Sequence, residues 1–341
     1  MARLIEKKKA TYTVSDGLKD YLGKHERLES LPVNYADLKD YATSVALYDS
    51  RGEDTLWTSV AYGPSNRKEI HEGLLKIYAI LRSEGDRSVQ EHLVVDRVDL
   101  CMYGNTQPFR VRIINTLNEN FDYFYVKYAD ASRIYGLELE HVLSPNRTFF
   151  TVDKTTLIEE HIYGIPGDMF IDRYMDTNLN EVRLAKEFVK FNERCFLRLL
   201  GDMHSANFVV DITVDFEENM YRIRSIDFDQ QCYEPRKNVY LPQFFKENNA
   251  IINLGIKHLT WESVQQYQME ERSLIRKRIT TEKPRLRELI RCMEKDTLAP
   301  QENVKELGEQ LADHYETAIF RRARTMGSLV RLSLEHLLET H

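Results

Sequence analysis

Two polar residues of this chain, Asn207 and Asp227, have the types and the spacing to share a divalent cation, and a further acid, Asp202, lies shortly before the first of them. Asp202 follows a predicted helix and precedes a predicted strand, so it lies on a short loop at the edge of a packed core. Asn207 comes five residues later, and Asp227 ends a second predicted strand. If the two strands pair as a hairpin, Asn207 and Asp227 meet at its open end, where their hard oxygen atoms suit a magnesium ion. His204 would support the loop by hydrogen bonding.

The elements that must position these residues follow from the hydrophobic pattern of the C-terminal half. Residues 181–200 form a predicted helix with one apolar face. Residues 208–212 and 221–226 are strand-like and are joined by an acidic turn region. From residue 264 onward the pattern is that of amphipathic helices, broken at Pro284 and Pro300. This half is therefore predicted to be mainly helical, with one hairpin inserted.

The N-terminal half mixes strands and helices. Residues 66–83 form a predicted helix whose apolar residues recur at helical spacing, and residues 133–143 form a second one. Short runs rich in β-formers, bounded by turn residues, predict the strands. The predicted strands are residues 44–48, 56–62, 98–103, 109–115, 122–129, 147–152 and 156–161. Sheet first and helices second predict the α+β class.

The loop and the strand end carry motifs that resemble a known superfamily. The motifs are Gly201-Asp202-x-His204-x-x-Asn207 and Ile226-Asp227-Phe228. They are similar to those of the atypical branch of the protein kinase-like superfamily, which includes aminoglycoside phosphotransferases, choline-kinase-like proteins and lipid kinases. The resemblance implies a two-lobed fold, with an antiparallel-sheet N-lobe and a mainly helical C-lobe. It also implies ATP and Mg²⁺ as cofactors, Asp202 as catalytic base, and Asn207 and Asp227 as metal ligands.

The resemblance extends upstream, from about residue 98. Lys127, in Tyr-Val-Lys, resembles the third-strand lysine that binds the nucleotide phosphates. Glu138 or Glu140 on the next helix would pair with it. Of the two choices, pairing through Glu138 leaves the neighbouring apolar residues better placed. Residues 157–164 resemble the hinge of the aminoglycoside branch, where backbone groups such as those of Glu160 and Ile162 meet adenine.

Two positions depart from the pattern of the superfamily. The nucleotide loop is expected to be rich in glycine, yet only Gly104 stands near the expected turn. Asp229 replaces the glycine that follows Asp-Phe, either as a further metal-facing carboxylate or as a polar cap.

The predicted activity is transfer of the γ-phosphate of ATP to a hydroxyl of a small molecule, or of a protein. Two alternatives stay open. One is a pseudokinase-like nucleotide-binding or scaffold protein without transfer, and the other is transfer of AMP by the same fold. Residues 230–249 are predicted to line the acceptor site. Their mixed charges do not identify the acceptor.

We expect three regions. Residues 1–95 form an N-terminal extension of mixed α/β structure that is part of the N-lobe or packs on it. Residues 96–165 form the kinase-like N-lobe core, and residues 166–341 form the helical C-lobe with the catalytic loop.

Charge, apolar runs and cysteine spacing limit the binding partners and the cellular location that the sequence predicts. The 341 residues carry a formal net charge of −7, so wholesale binding of nucleic acid is not expected. Residues 1–9 lack the apolar run of a signal peptide, and no stretch approaches the roughly 20 apolar residues of a membrane span. The four cysteines are widely spaced, without a Cys-x-x-Cys pair. These features predict a cytoplasmic protein of a reducing compartment.

Overall fold

The α+β class predicted from the sequence is confirmed. The computed structural model describes residues 9–49, 51–83, 92–102, 106–175, 179–214 and 219–339. An antiparallel sheet dominates the N-terminal region, and helices dominate the C-terminal part. No helix in these ranges has both the length and the apolar character needed to cross a membrane.

The chain folds into two compact units, and each contains two separate stretches of sequence. Unit 1 consists of Met1–Asp130 and Phe149–His161, and unit 2 consists of Ala131–Thr148 and Ile162–His341. A segment of about one helix and its following loop therefore leaves the first unit and joins the second. The predicted boundaries at residues 95 and 165 stay predictions.

Unit 1 is built on a seven-stranded antiparallel sheet with the order β1-β2-β3-β4-β5-β7-β6. Each predicted strand of this half is present, and β3 begins earlier than predicted because three further apolar residues precede the expected start. The strands are β1 Thr43–Tyr48, β2 Asp54–Ala61, β3 Leu93–Cys101, β4 Phe109–Asn115, β5 Phe121–Tyr128, β6 Phe150–Asp153 and β7 Thr156–Glu160. The helices are α1 Asp16–Lys24, α2 Tyr35–Lys39 and α3 Pro64–Ser83.

One face of this sheet packs against α3. The helix was predicted from apolar residues at helical spacing, and Ile70, Leu74 and Leu81 lie in the hydrophobic core with strand residues such as Val98 and Val126. The other face carries polar and aromatic side chains. Because successive residues of a strand point to opposite faces, the alternation along β3, β4 and β5 separates the core from the polar face.

Unit 2 contains a three-stranded antiparallel sheet, with the order β10-β9-β8, and eight helices within its described residues. The strands are β8 Ile165–Pro166, β9 Phe208–Val214 and β10 Asn219–Ser225. The helices are α4 Ala131–Leu143, α5 Gly167–Arg173, α6 Glu181–Arg198, α7 Asn249–His258, α8 Trp261–Thr281, α9 Lys283–Lys295, α10 Gln301–His314 and α11 Met326–Glu339.

Both predicted proline breaks are confirmed. Helix α8 ends at Thr281 and α9 begins at Lys283, with Pro284 in its first turn. Helix α10 begins directly after Pro300. Proline is tolerated in the first turn because the amide that it lacks would have no intrahelical acceptor there.

Candidate active site

The hairpin β9–β10 brings the two candidate metal ligands to one end, as the sequence predicted. Phe208 pairs with Ser225 in the antiparallel register. Directly beyond this pair, the Ile226 amide donates to the Asn207 carbonyl over 3.0 Å. Asn207 and the segment that begins at Ile226 therefore leave the hairpin side by side.

The loop that carries Asp202 is anchored to later parts of unit 2. The Asp202 amide donates to the Val239 carbonyl over 3.0 Å. The buried side chain of Asn248 donates to the Met203 carbonyl, also over 3.0 Å. The Asn207 side-chain nitrogen donates to the Asp202 carbonyl over 2.8 Å. This last bond fixes the amide group of Asn207, whose oxygen is the acceptor that a cation needs.

The backbone of the loop is tightly constrained at Asp202. Its φ of +62° lies in the left-handed region, which Asp and Asn tolerate better than other residues with a side chain. At the preceding position, a Cβ on Gly201 would lie 3.1 Å from the Gln230 carbonyl oxygen and 3.2 Å from Val239. Gly201 therefore permits a close approach of two backbone segments, and this approach fixes where Asp202 points.

The carboxylate of Asp202 is partly removed from water and lies among other acids. Burial raises the pKa of Asp202 to about 6, the interaction with His204 opposes the rise, and Asp227, Glu234 and Glu247 add to it. A carboxylate with a pKa in this range accepts a proton more readily at neutral pH than an ordinary aspartate does, which suits a general base.

His204 supports the loop. Its ring nitrogen Nδ1 accepts a hydrogen bond from the Ala206 amide over 3.3 Å, and its own amide donates to the Asp202 carbonyl over 3.0 Å. These contacts cap the short 3₁₀ turn Ser205–Asn207 that leads into β9. The contacts are those of a loop-supporting residue.

Arg133, a residue that sequence reasoning did not single out, binds both carboxylates of the Ile-Asp-Phe-Asp segment. Its Nη1 atom lies 2.6 Å from Asp227 Oδ1 and 2.7 Å from Asp229 Oδ1. The Asp229 amide also donates to Asp227 Oδ1, over 3.1 Å. Only 2% of the Arg133 side chain is exposed, against 35% of Asp227. A cation thus already occupies the point on which these two carboxylate oxygens converge.

Helix α4 packs closely on this segment along one face. Ser132 donates to the Gln231 carbonyl, next to the Arg133 contacts. One turn later, a Cβ on Gly136 would lie 3.1 Å from Phe228. Phe228 is fully buried. The absence of a side chain at Gly136 therefore lets α4 lie against the Ile-Asp-Phe-Asp segment.

The two glutamates predicted to serve Lys127 are buried in unit 2 and bind arginines. Glu138 accepts from Arg285 at both carboxylate oxygens, over 2.8–3.1 Å. Glu140 binds Arg198. Both glutamates are at most 2% exposed. Each ion pair joins α4 to another helix of this unit, and a pairing of Glu138 with Lys127 stays a prediction.

Lys127 lies on β5 in unit 1, on the polar face of the sheet. Its ammonium nitrogen Nζ donates to Glu159 on the neighbouring strand β7 over 2.8 Å. Both side chains are 8% exposed. Nζ also lies 5.3 Å from the centre of the Tyr125 ring. Glu159 was not among the predicted site residues. It pairs with Tyr125 and so lies on the face that carries Lys127, which becomes known only when the strands are paired.

The remaining predicted nucleotide contacts are divided between the two units. Glu160 ends β7, and one of its oxygens accepts from the Phe149 amide over 2.8 Å. Ile162 is buried in unit 2. Gly104 lies outside the described residues. The role of these residues in nucleotide binding stays a prediction.

The donor set at the hairpin end fits a magnesium ion in its chemistry. Asp227, Asp229 and Asn207 offer the hard oxygen atoms that Mg²⁺ prefers, and two of these oxygens already converge on a single cationic nitrogen. Among the described residues, no group of three or more His, Cys, Asp or Glu side chains is arranged to hold a metal. The oxygen ligands available to an ion here come from at most two carboxylates and one amide.

No family model matches the chain, and no curated protein matches it. Among solved structures, the chain is similar to titin kinase with its flanking domains, with a TM-score of 0.29 and 14% identity over 72% of this chain. The match spans 55% of that structure. It is also similar to the autoinhibited serine kinase domain of the giant muscle protein titin, with a TM-score of 0.26, 14% identity, and coverage of 66% of this chain and 88% of that one. Both TM-scores are low.

Proposed function

We propose that this chain is an ATP- and Mg²⁺-dependent phosphotransferase of the kinase-like type, which transfers the γ-phosphate to a hydroxyl of a small molecule or of a protein. The observation that carries the proposal is the hairpin end. There Asn207 and the Asp227 segment lie side by side, and the Asn207 side chain is bonded to the carbonyl of Asp202. A proton acceptor and two oxygen ligands next to one another are what phosphoryl transfer requires of a protein.

The residues of the chain have distinct tasks in this proposal. Asp202 orients the acceptor hydroxyl and takes its proton at a carboxylate oxygen as that hydroxyl attacks the γ-phosphorus and the bond to ADP breaks. Asn207 and Asp227 hold the magnesium ion, which when bound neutralises phosphate charge. Lys127, itself held by Glu159, binds the phosphates as a cation.

A nucleotide-binding protein without transfer is the second candidate, and the contact of Arg133 with both Asp227 and Asp229 favours it. If the arginine keeps both carboxylates from a metal ion, nucleotide would bind without being turned over. Transfer of AMP would use the same metal ligands. The four cysteines are free thiols, which suits the reducing cytoplasm proposed as the location.

The test follows the α and the γ phosphate of ATP, each with its own label. Purified protein is incubated with Mg²⁺ and with ATP labelled at the α or the γ phosphate. Wild type is compared with Asp227→Ala and with Asp211→Asn, which changes a carboxylate in the middle of the same hairpin. Transfer or hydrolysis of the γ label that depends on Asp227 and not on Asp211 supports the phosphotransferase. Movement of the α label indicates AMP transfer, and nucleotide binding without movement of either label indicates the second candidate.

A further inference from the structure

Arg133 lies inside the candidate site and binds two of its carboxylates, as a metal ion would. We propose that Arg133 is the resident cation of this site: it holds Asp227 and Asp229 in place of a second divalent ion, so that the site takes a single ion. This inference rests on the proposed function, because it assigns a role within the same phosphotransferase site.

The first support is the geometry of the contacts. A single nitrogen atom, Arg133 Nη1, lies within 2.7 Å of one oxygen from each carboxylate. The neighbouring nitrogen, Nη2, lies 3.4 Å from the Ile226 carbonyl oxygen. The guanidinium therefore does for these carboxylates what a bridging ion does, since it draws two anionic oxygens to one point and neutralises part of their charge.

The second support is the permanence of the charge. Arginine does not lose its proton in proteins, so the position cannot become neutral at ordinary pH. A divalent ion at the same two oxygens would lie a few ångströms from a fixed positive charge, next to the largely buried side chains of Arg133 and Asp229, where repulsion is strong. Asp227, which is 35% exposed, keeps a face toward solvent, whereas Asp229 is 13% exposed. The exposed side of Asp227 is where one ion has access.

The third support is the anchoring of Arg133. The residue lies near the start of α4, and contacts of its neighbours Ser132 and Gly136 fix that helix against Gln231 and Phe228. At 2% side-chain exposure, the guanidinium has little room to leave without a movement of α4. A buried charge that stays paired in this way is part of the site rather than a mobile surface group.

The test counts ions. Mn²⁺, which substitutes for Mg²⁺ and is visible by electron paramagnetic resonance, is titrated into the full chain alone and together with a non-hydrolysable ATP analogue. The variants are Arg133→Met, the double variant Arg133→Met/Asp229→Asn, and Arg285→Met. The last variant removes another arginine that binds an α4 carboxylate, away from the Asp227 segment.

With the analogue, we expect one Mn²⁺ per chain for wild type and for Arg285→Met, two for Arg133→Met, and one again for the double variant, which has lost a carboxylate. Two ions bound to wild type would overturn the inference. So would a single ion on Arg133→Met, including one that binds more tightly than in wild type, because the arginine would then compete with the ion instead of replacing a second one.

Together with the label assay above, the titration separates this inference from the proposed function. If wild type binds one Mn²⁺ with the analogue and Arg133→Met binds two, but wild type moves neither label of ATP, Arg133 is the resident cation and the phosphotransferase proposal fails. If wild type binds no Mn²⁺ with the analogue and Arg133→Met binds one, the arginine competes with the ion and the inference fails. If neither protein binds Mn²⁺, both proposals fail. If Arg133→Met does not fold, the ions bound to Arg133→Gln are counted instead. The amide of this glutamine can still bond to the carboxylates. The midpoint of thermal unfolding is also measured with and without Mn²⁺. We expect Mn²⁺ to raise it more for Arg133→Gln than for wild type.

Discussion

At the scale of single residues, Asp202 bears a charge that the folded protein disfavours. Burial raises the pKa of its carboxyl to about 6 from the ordinary value of 3.8. The folded state therefore binds this proton more strongly than the unfolded state does. Between about pH 4 and pH 6 the contribution of Asp202 to the free energy of unfolding falls as pH rises, and above pH 6 the penalty is complete.

Asp202→Asn should therefore stabilise the protein while it abolishes turnover. Asparagine keeps the shape of the side chain and tolerates the left-handed backbone at this position. We expect a gain on the order of 1–3 kcal/mol in the free energy of unfolding at pH 7.5, and little gain at pH 4. Urea unfolding at both values measures it.

Asp20→Asn, at an exposed position of α1, is the matched control and should change stability little at either pH. An Asp202→Asn variant that is less stable than wild type at pH 7.5 would show that the carboxylate is satisfied in the fold, contrary to a poised base.

At the scale of elements, the contact of α4 with Phe228 can be tested through two helical glycines. A Cβ at Gly136 would lie 3.1 Å from Phe228, whereas a Cβ at Gly255 in α7 would meet nothing within 4 Å. Glycine to alanine in a helix normally gains about 0.5–1 kcal/mol. We expect Gly255→Ala to show this gain and Gly136→Ala to lose about 1 kcal/mol or more by overpacking. Equal gains from both substitutions in urea unfolding would mean that α4 does not lie closely on Phe228.

The ion pair between Glu138 and Arg285 joins α4 to α9, and its two members should be strongly coupled. Glu138 is fully buried. Glu138→Gln should cost about 3 kcal/mol, because it removes the buried negative charge that binds Arg285. The double variant Glu138→Leu/Arg285→Met should be nearer to wild type than the sum of the single Glu138→Leu and Arg285→Met variants. Urea unfolding of the four proteins gives the coupling free energy, and additive costs would refute the pair.

The hairpin and the Asp202 loop could be predicted from the sequence because their signals are local. The two strand-like runs lie close together in the sequence, and their antiparallel pairing brings Asn207 and the Asp227 segment side by side. The partners of Arg133 and Glu138 could not be predicted in this way. Arg133 binds a residue 94 positions away, and Glu138 binds one 147 positions away. The hydrophobic periodicity of the sequence does not indicate which buried charges meet when the helices pack.

At the scale of the whole molecule, the chain enters unit 2 with α4, returns to unit 1 for β6 and β7, and then completes unit 2. Helix α4 supplies three buried charges to unit 2, namely Arg133, Glu138 and Glu140, and each has a partner contributed by the later stretch. A fragment cut at residue 162 would keep those partners and lose their counter-charges.

We therefore expect the fragment of residues 162–341 to lack cooperative unfolding, because Arg198 and Arg285 would lose the α4 carboxylates that bind them. A synthetic peptide of residues 129–148 should bind this fragment and restore the near-ultraviolet circular dichroism of packed aromatic residues. The same peptide with Arg133→Met, Glu138→Gln and Glu140→Gln is the matched control and should not restore it, because the three charge pairs that join α4 to the rest of the unit cannot form. Cooperative unfolding of residues 162–341 alone, or equal restoration by both peptides, would show that packing without these charges is enough to complete the unit.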